Sequence, residues 1–172
     1  MRIKMRAFRL TDADEMFRIF QDENFRATLY MAQNFPPSIT EITSFVQESM
    51  TQKPDRVNFV LERVENGEFI GGVTIKDIDY RRGVCSLGFW IAPEHQSFGY
   101  GFEGLMLVCR YIFGELRMQK IALNCFEFNI KGLKLYQKAG FLQEGILRRD
   151  ILREGKFYNT IVMGLLKEEF KS

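Results

Sequence analysis

Histidine is almost missing from this chain: His95 is the only one among 172 residues. A metal site built on histidine, or a nucleophile activated by a histidine base, would rest on it alone, so neither is expected. Cysteine is sparse and odd in number. Cys85, Cys109 and Cys125 stand far apart, each beside apolar residues, which reads as buried thiols in a reducing compartment. Long apolar runs are lacking, and Met1-Arg2-Ile3-Lys4 alternates charge with apolar residues, so neither a signal peptide nor a membrane-spanning helix is expected. A cytoplasmic location follows from that reading. An excess of one charge is lacking too: 24 Lys and Arg against 22 Asp and Glu leave +2 at pH 7. That is too little for a surface that tracks phosphates, so no nucleic-acid partner is expected.

What the chain does have is apolar and aromatic. A hydrophobic content of 46% over 172 residues fits one globular domain, residues 1–172, that buries about two-thirds of its unfolded surface. Seventeen phenylalanines point to a thick core or to an apolar cleft, and are compatible with a homo-oligomer. No internal repeat, low-complexity tract or linker interrupts the sequence.

Read in order, Ile3–Leu10 predicts a strand, and Thr11 stands at the N-cap of a helix with acidic Asp12, Asp14 and Glu15 in its first turn. Gln21–Phe35 loses the period. Ser38-Ile39-Thr40-Glu41 is a capping box for a second helix carrying Ile42, Phe45 and Val46. Val57–Arg63 and Phe69–Ile78 predict strands joined through Asn66-Gly67, a strong hairpin signal, with Gly71-Gly72 read as a bulge. Val84–Ile91 completes an antiparallel meander. After a loop come a helix over Phe102–Phe113, a strand over Ile121–Phe126, a helix over Ile130–Ala139 closed by Gly140, and strands over Phe141–Leu152 and Phe157–Leu166.

The loop, Gln96-Ser97-Phe98-Gly99-Tyr100-Gly101, joins a strand to a helix start. Unpaired amides and the positive end of a helix dipole suit phosphate oxygens, and glycine lets a backbone approach closely. The same residues also serve a plain tight turn. Downstream, Asn129 can cap the next helix, and Tyr136 can pack on that helix with Leu133.

Gln96-x-x-Gly99-x-Gly101, followed by Asn129 and Leu135-Tyr136-Gln137-Lys138-Ala139-Gly140-Phe141, resembles the two ordered motifs of the GNAT superfamily of acetyl-CoA-dependent N-acetyltransferases. The likeness extends across roughly the whole chain and is greatest to the spermidine/spermine and ribosomal-protein branches. It implies an α+β fold with a mixed, mostly antiparallel sheet, a splayed central strand pair and flanking helices. It implies acetyl-CoA as co-substrate, with main-chain groups of Phe89, Trp90 and Ile91 holding the pantetheine arm and the amides of Gln96, Ser97, Phe98, Gly99, Tyr100 and Gly101 holding the pyrophosphate. Asn129 would orient the arm, and Tyr136 would act as general acid toward the departing thiolate. No metal is implied. Ser97 and Phe98 depart from the family's frequent Gly-Lys, which removes a cation and leaves the amides in place.

By the same resemblance the acceptor is a small-molecule amine, such as a polyamine, or a protein N-terminus. Deprotonating a side-chain-like amine at pH 7 costs roughly 4.6 kcal/mol, against about 1–1.4 kcal/mol for an α-amine. Many related enzymes place a Glu where this chain has Ser86, which cannot take the proton unaided. That departure favours an α-amine, whereas Tyr136 and the Arg148…Gly155-Lys156-Phe157-Tyr158-Asn159 segment resemble the polyamine enzymes. Asp22, Glu23, Glu41 and Glu48 could attract a cationic acceptor, but such residues more often form a solvated helix face, and none is taken as a site. Attack is expected to be direct, since no cysteine lies within the two motifs. A non-catalytic acyl-CoA sensor is the reading from another class, motivated by Ser86 and Ser97-Phe98.

Overall fold

The computed structural model of the chain describes residues 1–30, 35–51 and 53–171. Seven strands form one sheet: β1 (Ile3–Arg6), β2 (Val57–Arg63), β3 (Phe69–Asp79), β4 (Val84–Ile91), β5 (Lys120–Phe126), β6 (Leu142–Arg153) and β7 (Lys156–Leu166). Their order is β1-β2-β3-β4-β5-β7-β6, and every neighbouring pair is antiparallel except β4 with β5. The single parallel pair follows from the connection. A crossover through helix α4 (Tyr100–Gly114) returns the chain in the same direction, whereas tight turns reverse it.

Helices α1 (Asp12–Phe20), α2 (Glu23–Arg26) and α3 (Ile39–Ser49) cover one face, while α4 and α5 (Ile130–Lys138) cover the other. Both faces of the centre are therefore buried. On the α1–α3 side, Phe8, Met16, Ile19, Val46 and Val60 form one apolar cluster; on the α4 side, Ile75, Leu105, Ile112, Ile121 and Leu165 belong to a larger one. Gly104 lets α4 lie close against the sheet, because a Cβ there would stand 3.1 Å from Ile3 Cδ1 and 3.2 Å from Leu61 Cδ1.

Several local predictions hold and others are corrected. The capping box forms, with the Glu41 N–H donating to Ser38 Oγ (3.2 Å) and the Ser38 N–H donating to Glu41 Oε2 (2.7 Å). Thr11, by contrast, is already helical in its backbone and its side chain caps nothing. Asp12 takes over: it accepts the Arg9 N–H at 2.7 Å and two hydrogen bonds from the Arg6 guanidinium at 2.7 and 2.8 Å. That guanidinium also meets buried Glu62, so a charge network, rather than a hydroxyl cap, fixes the start of α1. The first strand accordingly stops at Arg6. Within Gln21–Phe35 the chain forms α2, capped by Asp22, whose Oδ1 accepts the Phe25 N–H at 3.0 Å; residues 31–34 of that stretch lie outside the described residues. The bulge lies beside Gly71: Leu61 pairs with Gly71 and Glu62 with Phe69, leaving Ile70 unmatched. The glycine pair itself clears space for Trp90, since a Cβ on Gly71 would strike the Trp90 carbonyl and one on Gly72 would meet its ring at 2.7 Å.

Candidate active site

The parallel ladder between β4 and β5 holds only for Val84 with Lys120, Cys85 with Ile121 and Ser86 with Ala122. Beyond Ser86 the strands part. β4 stays paired with β3 as far as Ile91, and β5 stays paired with β7 as far as Phe126. A wedge-shaped gap thus opens in the middle of the sheet, bounded by main-chain groups that no strand partner occupies.

Strand alternation decides which groups these are. The Ala92 N–H donates to Ile70 O on the β3 side (2.9 Å), so the main-chain groups of Trp90 also face β3 and those of Leu87, Phe89 and Ile91 face the gap. From the other side, the Lys120 N–H donates to Gly83 O (3.1 Å) and the Glu127 N–H to Asn159 O (3.0 Å), which turns Asn124 and Phe126 toward the gap. The Ile91 carbonyl is taken by Gln96, whose Nε2 donates to it at 3.0 Å. Phe89 and the Ile91 N–H have no partner on that side among the described residues. Of the three positions proposed for the arm, Trp90 differs: it meets the site region through its ring, packed edge-on against Phe20 (5.2 Å between centroids) and Phe25 (5.6 Å).

The glycine-bearing loop begins where β4 ends. A short 3₁₀ turn at Pro93–His95 leads into it, and Gln96 pins the loop back to β4. Ser97 (φ 69°) and Gly99 (φ 87°) are both left-handed. Such a conformation costs a non-glycine residue about 1–2 kcal/mol, which is the physical reason glycine suits position 97. From Ser97 to Phe102 no main-chain N–H has an acceptor among the described residues; the ladder of α4 starts with the Glu103 N–H on Gly99 O (3.2 Å). A left-handed turn running into a helix N-terminus makes a concave row of donors suited to an anion. Arg2 braces this loop from outside: its guanidinium pairs with Glu103 (2.9 Å), donates to Phe98 O (3.2 Å) and lies 4.7 Å from the centre of the Tyr100 ring. No local pattern in the sequence marks Arg2 for that role.

Tyr136 projects from α5 into the core beside the gap, with its ring edge-on to Phe141 at 5.8 Å. Burial, with a smaller contribution from the nearby Cys125 thiol, raises its phenol above the ordinary value. The hydroxyl makes no hydrogen bond to another described residue. Among the described residues the buried side-chain polar atoms without a partner are Arg26 Nε and Asn58 Oδ1, so the Tyr136 hydroxyl, which is not one of them, keeps some accessible surface. Asn129 is occupied: Oδ1 accepts the Gly132 N–H (3.0 Å) and Nδ2 donates to Thr28 O (3.4 Å). It caps α5 and ties that helix to the segment after α2.

Other residues have plain structural roles. His95 faces Glu68 of the β2–β3 hairpin at 3.5 Å. Desolvation pushes each of the three buried thiols up to about 12. Among the carboxylates near the α1–α3 face, Asp22 caps α2, Glu41 caps α3 and Glu48 pairs with Lys53 at 3.2 Å. Ser86 lies at the last paired step of β4, on the same face as Trp90. Among the described residues no helix is long and apolar enough to cross a membrane.

Comparison with known proteins agrees with this architecture. A family model described as Acetyltransferase (GNAT) domain matches residues 2–142. The chain is 31% identical, over 80% of its length and 76% of the relative's, to the SPbeta prophage-derived uncharacterized N-acetyltransferase YokL of Bacillus subtilis. It is 27% identical to the spermidine N(1)-acetyltransferase of Vibrio cholerae over 77% of this chain and 76% of that one. Among solved structures, spermidine N-acetyltransferase from Vibrio cholerae in complex with CoA and spermine superposes with a TM-score of 0.88 at 23% identity, covering 98% of this chain and 97% of that one. This last likeness concerns the fold.

Proposed function

The chain belongs to the GNAT acetyltransferase family and is an N-acetyltransferase, and from that premise we propose that it moves the acetyl group of acetyl-CoA to a primary amine by direct attack in a ternary complex. The observation that carries the proposal is the break in the β4–β5 ladder after Ser86, together with the row of main-chain amides from Ser97 to Phe102, beyond the end of β4, that have no acceptor among the described residues. An extended arm bearing amides can add to a strand whose outer edge is free, and Phe89 and the Ile91 N–H offer that edge. A pyrophosphate fits a concave set of main-chain donors at a helix start. Acetyl-CoA, once held, supplies the acetyl group and leaves as a thiol.

The residues of this chain then have separable tasks. Gln96 sets the turn between strand and cradle through its bond to Ile91 O. The amides of Ser97, Phe98, Gly99, Tyr100 and Gly101 hold phosphate oxygens, and Arg2 with Glu103 fixes the loop that presents them. Tyr136 donates its phenolic proton to the departing sulfur; burial keeps that phenol protonated across the neutral range. Asn129 acts as a positioning residue, through the cap of α5 that carries Tyr136. The three thiols are buried and protonated, which supports transfer without an acetyl-cysteine stage. The spermidine acetyltransferases among the relatives put polyamines among the first acceptors to try.

Steady-state rates of thiol release, with acetyl-CoA and acceptor varied together, test the scheme. A ternary complex gives intersecting reciprocal plots. Parallel plots would point to an acetylated enzyme, and no release with any member of a broad amine panel would remove the transferase proposal.

A further inference from the structure

Arg26, at the end of α2, is only 7% exposed, yet its charge has no carboxylate within ion-pair distance among the described residues. Nη1 donates to Phe20 O at 2.6 Å, which satisfies a carbonyl at the C-terminal end of α1. That is one bond from a group with five donors that cannot lose its proton. Nε is enclosed and has no acceptor. Nη2 also makes no hydrogen bond and, not being among the enclosed unpartnered atoms, keeps accessible surface. Nη2 is therefore the donor through which a carboxylate arriving from outside can meet this guanidinium, by a charge-assisted hydrogen bond. Of the two carboxylates that just precede Arg26, Asp22 is turned away to cap α2, and Glu23, at the start of α2, makes no ion pair with it.

The position of Arg26 gives this donor its meaning. Phe25 packs on Trp90 of β4 (5.6 Å), Thr28 O accepts from Asn129 at the start of α5 (3.4 Å), and the Tyr30 ring lies on Phe126 of β5 (5.4 Å). Residues 25–30 therefore run from one wall of the gap to the other, on the α1–α3 face, and Arg26 belongs to this segment, its guanidinium anchored to the end of α1. Beyond it, Arg153 lies 5.0 Å from the centre of the Phe128 ring and pairs with Glu154 at 3.3 Å, and Lys156 lies 5.1 Å from the centre of the Tyr158 ring. Glu127, the acidic residue at that end of β5, is held by the Asn159 N–H (2.7 Å) and side-chain amide (3.0 Å).

We propose that Arg26 is a specificity-determining residue that selects an acceptor carrying a carboxylate close to its α-amine. The inference rests on the acetyl-transfer reading and narrows it: a polycation brings no partner for the buried guanidinium and meets its like charge. The carboxylate can be that of a free amino acid or the side chain of an Asp or Glu at a peptide N-terminus.

The test compares matched acceptors by kcat/KM for thiol release with acetyl-CoA. One arm sets free amino acids against their primary amides; a second sets short peptides beginning with Asp or Glu against the same peptides beginning with Asn or Gln; spermidine is run beside them. The amide's amine is the less basic of its pair and so the more available, so a preference for the acid runs against intrinsic reactivity. The expected result is at least about tenfold higher kcat/KM for the carboxylate member in one arm, as a charge-assisted hydrogen bond implies. That arm identifies the source. Arg26→Met, which keeps the apolar stem, should abolish the preference by lowering the rate with the acid alone. Should that variant fail to fold, the wild-type pairs still decide. Equal rates within the pairs in both arms, or faster turnover of spermidine than of any carboxylate-bearing acceptor, overturn this inference and leave acetyl transfer standing. No acetylation of any amine overturns both.

Discussion

Replacing Tyr136 by phenylalanine separates chemistry from packing. The ring is buried against Phe141 at 5.8 Å, while the hydroxyl bonds to no other described residue. Its removal therefore costs no internal hydrogen bond and opens no cavity. Leaving a hydroxyl unpaired in an apolar setting costs about 1–3 kcal/mol, and partial access to solvent puts this one near the lower end. Tyr136→Phe should consequently keep its melting temperature or gain roughly 2–4 °C. Catalysis moves the other way. A positioned general acid contributes about 10²–10⁴ in rate, roughly 3–5 kcal/mol of barrier, so kcat should fall about 100-fold or more, with little change in KM for acetyl-CoA. Scanning calorimetry reads the first quantity and thiol release the second. A kcat within about threefold of wild type would refute the assignment and leave Tyr136 as a packing residue.

Burial pushes the Glu62 carboxyl up, but its hydrogen bonds to Arg6 and Lys4 and their charges outweigh this and hold it below the ordinary value. A lowered carboxyl contributes stability above the unfolded-state value of about 4.3 that is lost as pH falls through the lower folded-state value. Glu62→Gln should cost about 2–3 kcal/mol at pH 7, and the cost should shrink in acid, as urea melts across pH would show. Gly72→Ala places a methyl 2.7 Å from the Trp90 ring, so it should destabilise by about 1–3 kcal/mol and shift the fluorescence of this sole tryptophan; an unchanged spectrum would mean that the ring does not lie there. The three thiols, each pushed up to about 12 by burial, should resist alkylation at pH 8 until the protein unfolds. A thiol modified at a free-cysteine rate in the native protein would contradict their burial.

Where local chemistry decides, the sequence was legible. The bounds of β2 and β4, the Asn66-Gly67 hairpin and the Ser38–Glu41 capping box follow from alternation, turn preference and a self-contained hydrogen-bond pair. Thr11 misled because Asp12, bonded to Arg6 and through it linked to Glu62 of β2, fixes that helix start instead. The four-residue α2 has too few positions to show a period. Trp90 illustrates a further limit. With both faces of β4 covered, the strand shows no polar alternation, and only the bond from the Ala92 N–H to Ile70 O tells which main-chain groups point into the gap. The motifs point to the loop and to Tyr136, yet they say nothing of Arg2 behind the loop or of Arg26 after α1, because both are placed by tertiary contacts.

The central claim is that one gap in the sheet, with the amide row beside it, brings acetyl-CoA and an amine together for direct transfer. Its most direct test follows isotopically labelled acetyl from acetyl-CoA by mass spectrometry, with the acceptor panel and the intact protein analysed in the same reaction. The account predicts label on an acceptor amine in a one-to-one ratio with thiol released, and an unlabelled protein. Thiol release without labelled acceptor, or label held covalently by the protein, would contradict it.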